Sequence, residues 1–74
     1  MTVKNLPNIV GVDKIRVYQD NALLVEQWIG GARLSWYFEE VEILKQFSEQ
    51  MVDYLEMCIE GCLSEVLVFE IFLK

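Results

Sequence analysis

From Lys14 the chain alternates. Ile15 and Val17 fall on one side while Lys14, Arg16 and Tyr18 fall on the other, the two-residue period of a half-buried strand. Gln19-Asp20-Asn21 supplies turn chemistry, and Ala22 to Ile29 runs long and mostly apolar as a second strand. Gly30-Gly31 is a hairpin signal, and Ala32-Arg33-Leu34-Ser35-Trp36-Tyr37-Phe38 follows as a third strand. With 30 and 31 as the turn, Ile29 faces Ala32, Val25 faces Trp36 and Leu23 faces Phe38, an almost wholly apolar face. A two-residue turn at Asp20-Asn21 would send Arg16 and Tyr18 inward. The pattern therefore favours a three-residue loop, Gln19 to Asn21 with Asn21 left-handed, pairing Val17 with Leu23 and Ile15 with Val25. Lys14, Arg16, Tyr18, Leu24, Glu26, Trp28, Arg33, Ser35 and Tyr37 then share the outer face.

From Glu39 the period becomes helical. Val41, Leu44, Ser48, Met51, Val52, Leu55, Cys58, Ile59 and Cys62 recur at three and four, as a core-facing stripe does, and Gly61 supplies a C-terminal stop. Residues 65–73 then form a last strand, apolar on both sides: Leu67, Phe69, Ile71 and Leu73 against Val66, Val68, Glu70 and Phe72. Such a strand is covered on both faces or paired inside a dimer.

The fold class this predicts is α+β in the order βββαβ. A three-stranded antiparallel meander (about 14–38) is covered by one long amphipathic helix (about 39–60). A C-terminal strand (about 65–73) returns beside the meander, parallel to a neighbour. Residues 1–74 make one domain, with 1–13 as an extended arm or edge strand punctuated by Pro7 and Gly11.

Composition sharpens this. A 74-residue chain lies near the lower limit for folding on burial alone, and 54% hydrophobic residues make a dense core with some apolar surface left over. Twelve acids against six bases give a net charge of −6. That balance argues against direct nucleic-acid binding and against anionic membranes, and in favour of a protein partner with a basic surface. Cys58 and Cys62 read as small buried apolar residues at the helix end, and reduced thiols suit a cytoplasmic protein, in the host cytoplasm if the chain is viral. The opening residues lack a signal-type apolar stretch.

Catalytic chemistry is thin. The chain has no histidine, and Ser35, Ser48 and Ser64 stand beside no activating base. Two thiols without histidine do not complete a metal site, so no metal, cofactor or enzymatic role is expected.

Two surfaces remain. Glu39 to Glu60 holds seven acids and one base, while the rest of the chain is neutral. Glu42, Glu49, Asp53, Glu56 and Glu60, spaced seven, four, three and four apart, make one stripe on the expected helix. Like charges at 49/53 and 56/60 cost a helix stability. The rival surface is the outer sheet face, where Arg16, Tyr18, Trp28, Arg33 and Tyr37 interleave and Trp28 meets Arg33 as a cation–π pair.

In size, charge and lack of catalytic residues the chain resembles the small phage-encoded inhibitors of host defence, such as anti-CRISPR and anti-restriction proteins. The likeness is one of profile, and those proteins share no motif. It implies a non-enzymatic inhibitor docking its acidic helix on a nucleic-acid-handling protein. The alternative is a homo-oligomeric structural or regulatory module, a homodimer for instance, whose interface is the last strand or the aromatic sheet face.

Overall fold

The computed structural model describes residues 1–6, 11–29 and 45–74. The Gly30-Gly31 hairpin, the expected third strand at 32–38 with Arg33, Ser35 and Tyr37, and the first part of the expected helix with Glu42 lie outside them.

Among the described residues four strands build one mixed sheet: β1 Lys14–Gln19, β2 Ala22–Trp28, β3 Val52–Glu60 and β4 Val66–Leu73. Their spatial order is β2-β1-β4-β3. β1 pairs antiparallel with β2 and parallel with β4, and β3 pairs antiparallel with β4. The last strand is therefore interior and lies parallel to the first. Its alternation is buried on both sides, with Val68, Phe69, Ile71 and Leu73 all at 5% exposure or less.

The long helix is a misreading. Among the described residues its second half is β3, and only the short 3₁₀ turn Val3–Asn5 stands as a separate helical element. Leu55-Glu56-Met57-Cys58-Ile59-Glu60 alternates with period two as cleanly as it fits a helical stripe, so local pattern leaves the choice open. The sheet decides it. β4 is apolar on both faces and needs a neighbour on each edge, and 52–60 supplies the second one. As a strand the segment also separates the acids that would repel one another at helical spacing.

The first hairpin also differs from expectation. Asp20 and Asn21 are both left-handed, at φ 53° and 64°, and form a two-residue turn between Gln19 and Ala22. Tyr18 pairs with Leu23 and Val17 with Val25, leaving Leu24 as the extra residue of a bulge. That bulge sets Val25 opposite Val17 on the core side, where the tight turn alone would have put Leu24.

One face of the sheet carries the core. Ile15, Val17, Val52, Phe69, Ile71 and Leu73 pack there with Val3 and Val12, flanked by Leu6, Val25, Ile29, Phe47, Leu55 and Leu67. The N-terminal residues form an arm along the start of β3. Val3 N–H donates to the Gln50 carbonyl (3.0 Å), Val52 N–H donates to that of Met1 (2.8 Å), and Thr2 bridges Met51. Asp13 joins three strands: its N–H donates to the Leu67 carbonyl (2.9 Å), its carboxylate accepts from Leu67 N–H (2.8 Å), and its carbonyl accepts from Ile29 N–H (2.8 Å).

Gly61 opens the β3–β4 connection at φ 105°, where a Cβ would overlap the Ser64 carbonyl oxygen. It is a turn glycine and not a helix stop. Gly61→Ala is expected to lower stability by about 2 kcal/mol through strain at positive φ. Asp13→Ala is expected to cost about 1 to 2 kcal/mol by orphaning Leu67 N–H. Urea midpoints measured by circular dichroism test both, and an unchanged midpoint for either variant contradicts the corresponding geometry.

Candidate interaction surface

Strands in register line up their side chains in rows across the sheet. On the face away from the core, one row runs Glu26, Arg16, Glu70, Glu56 from β2 to β3, and its neighbour runs Leu23, Tyr18, Phe72, Tyr54. A third runs Trp28, Lys14, Val68, Cys58. The alternation in β1 places Arg16 and Tyr18 here, as the sequence indicates, and Trp28 as well.

Arg16 is the hub of the charged row. Its Nε donates to Glu26 Oε2 at 2.6 Å, while Nη1 and Nη2 grip the two oxygens of Glu60 at 2.5 and 2.7 Å. Glu70 lies 3.6 Å from Nη1 and accepts the Tyr18 hydroxyl proton at 2.8 Å. Lys14 approaches Glu26 and Glu60 at 3.7 and 3.9 Å. The bidentate hydrogen bonds to Glu60, then that to Glu26, raise the Arg16 pKa, so the guanidinium is a permanent cation. Glu60 and Glu26 are in turn held below the usual carboxylate range by their hydrogen bonds to Arg16. Burial first, then the Glu70 carboxylate, pushes Tyr18 up and keeps it protonated as a donor.

Beside this lies an aromatic ladder. Phe72 stacks between Tyr18, at 4.8 Å and 7°, and Tyr54, at 4.3 Å and 8°. The ladder opens at the end of the sheet onto a shallow pocket of about 210 Å³ that Asp20, Asp53 and Lys74 help to line. Lys14 Nζ stands 5.1 Å from the Trp28 ring centroid, so within the described residues the Trp28 cation is Lys14; Arg33, the expected one, lies outside them.

Among the described residues, Glu49, Asp53, Glu56 and Glu60 do not form one stripe, and Glu42 lies outside them. Glu49 sits in a turn and bonds Lys4 at 2.9 Å. Asp53 is the extra residue of a bulge at the start of β3, and Glu60 is clamped by Arg16. Glu56 remains exposed, directly opposite Glu70 on the neighbouring strand. Asp20, Asp53, Glu56 and Glu65 are exposed and make no ion pair or side-chain hydrogen bond among the described residues. Lys4, Lys14 and Arg16 are all engaged.

The thiols are corrected too. Both are free; Cys58 is only half-buried on β3, and Cys62 is exposed in the connection after it. Burial, then the nearby charges of Glu70 and Glu60, pushes the Cys58 thiol up, away from nucleophilic use. Ser48 lies in the turn before β3 and Ser64 in the β3–β4 connection, neither on a helix.

No protein-family model, no curated protein and no solved structure matches this chain. Among the described residues no cluster of side chains could hold a metal ion. No described helix is long and apolar enough to cross a membrane.

Glu70, Phe72 and Tyr54 also belong to this face, which local pattern alone does not show. Glu70, the sole charge inside an apolar strand, was the available signal.

Arg16→Met leaves Glu26, Glu60 and Glu70 facing one another and is expected to lower stability by about 2 kcal/mol near neutral pH. In the parent, carboxylates with depressed pKa values stabilise the fold fully above the usual carboxylate range, and that contribution is lost as pH falls from there through the lowered folded-state values. The Met variant is expected to show a shallower or reversed acid slope in urea midpoints taken from about pH 7 to about pH 3. A slope equal to the parent's would contradict the clamp. Glu56→Lys, facing Glu70, is expected to raise stability by about 0.5 kcal/mol in the same assay.

Proposed function

We propose that this chain is a small non-enzymatic binding protein, an inhibitor of the phage-type anti-defence kind exemplified by anti-CRISPRs. It docks the carboxylates along β3 onto a basic surface of a nucleic-acid-handling protein in the host cytoplasm. The observation that carries the reading is Glu56. It is exposed, makes no ion pair among the described residues, and faces Glu70 across the β3–β4 ladder, an arrangement that lowers stability. A charge that works against the fold is better explained by what it meets outside.

Its surroundings agree. Asp53 and Glu65 extend the acidic rim at the two ends of β3, while Lys4, Lys14 and Arg16 are consumed by internal pairs. Glu56 and Glu65 therefore display negative charge that no described ion pair neutralises, which speeds encounter with a basic face and repels phosphate. The absence of histidine from the sequence and the raised Cys58 pKa support a role without chemistry.

The test is capture from a bacterial lysate on the immobilised protein, comparing the parent with the triple variant Asp53→Asn, Glu56→Gln, Glu65→Gln. The parent is expected to retain a nucleic-acid-binding protein that duplex DNA or raised salt displaces. The variant should hold it about tenfold more weakly. Capture that ignores the triple substitution, the salt and the DNA would sink the reading.

A further inference from the structure

β3 lies at one end of the sheet order among the described residues, and it exposes large apolar side chains. Tyr54, Met57 and Ile59 on the strand are 47%, 48% and 63% exposed, and Leu63 just beyond it is fully exposed. Between residues 46 and 73 there is no Lys, Arg or Pro, the residues that most often guard a sheet edge. Among the described residues the N-terminal arm bonds the backbone from Ser48 to Val52 and stops short of Tyr54. From Tyr54 to Glu60 nothing among the described residues pairs with it.

We propose that a second copy of this chain pairs antiparallel with the outer edge of β3, in the register that sets Met57 opposite its own counterpart. The edge can pair with itself in one register that brings its apolar residues together without opposing carboxylates, and three observations select that register. The arm already occupies 50–52, so self-pairing must be centred beyond Leu55, because a two-fold at Leu55 would need 50–52 to pair with 58–60. A two-fold at Glu56 sets Glu56 against itself, and one at Cys58 sets Glu56 against Glu60 twice, both like-charge pairs. A two-fold at Met57 uses the seven residues from Tyr54 to Glu60. It pairs Leu55 with Ile59 on the core face, and Tyr54 with Glu60 and Glu56 with Cys58 on the other, with no carboxylate directly opposite another.

The same register joins Leu55, Met57 and Ile59 of the two copies into one apolar strip continuing the core face. Slipping by one residue turns one copy over and sets those side chains beside Glu56 and Tyr54 instead. Backbone hydrogen bonds supply the affinity of such strand addition, and the strip supplies its register. The pairing is held by the backbone edge and the core-face side chains, so Met57→Lys tests it separately from the Asp53, Glu56 and Glu65 substitutions that test the acidic docking.

Sedimentation across a range of protein concentrations tests it without any other partner. The parent is expected to form dimers, and Met57→Lys to dissociate them at least about tenfold more readily while keeping the parent's circular dichroism, since Met57 is half exposed. The register is read separately. In a Cys58→Ser, Cys62→Ser background, Met57→Cys is expected to give a disulfide-linked dimer on mild oxidation, needing no folding test beyond the conservative change. A parent that is monomeric at every concentration, a Met57→Lys dimer as tight as the parent's, or crosslinking through native Cys58 with none through position 57 would each overturn the proposal.

Discussion

A strand that is apolar on both faces cannot sit at an edge or against water, and β4 is such a strand. Phe69 and Ile71 are buried in the core, Val68 is buried on the other face, and even Glu70 is only 9% exposed. Every large feature follows from finding β4 two neighbours. β1 takes one side in parallel register with Asp13 locking its first residues, and β3 takes the other. Burying Glu70 in the same strand then requires partners for its carboxylate, and Tyr18 and Arg16 stand on the adjacent strand at that level. The charged row is thus a consequence of the sheet order and not an addition to it.

What the sequence disclosed and what it hid divide along contact distance. Alternation in 14–18 and 66–73 is local and survives in the structure, as does the placement of Arg16, Tyr18 and Trp28 on one face. The segment from Val52 to Glu60 satisfies two periods at once: its acids fall at three and four, its apolar residues at two. What distinguishes them is the free edge of β4 that the segment fills, supported by the Arg16–Glu60 contact 44 residues apart, and no local window along the chain contains either. The uncompensated like charges at 49/53 and 56/60 were the local sign of trouble, since an isolated acidic helix face has no reason to lack lysines. The hairpin misled for a smaller reason. A tight turn and a bulge together preserve the register that either alone would break.

Placing the acids on a strand changes what each can do. On a helix, Glu49, Asp53, Glu56 and Glu60 would have been equivalent members of one row. On the sheet they separate into Glu60, which holds Arg16, Glu49, which holds Lys4, and Asp53 and Glu56, which hold nothing described. The structural and outward charges are distinguishable by partner, although composition alone counts them together.

Glu56 and Glu60 have a further consequence at the edge of β3. A long apolar edge without lysine is an open template, and such templates are dangerous chiefly because they accept many registers. Carboxylates at 56 and 60 raise the energy of the self-pairings centred on 56 and on 58, and the N-terminal arm closes 50–52. What is left is one register, bounded on one side by a covered backbone and on the other by Gly61, where the strand ends. Charge that weakens the isolated sheet therefore narrows the ways in which that sheet can be extended.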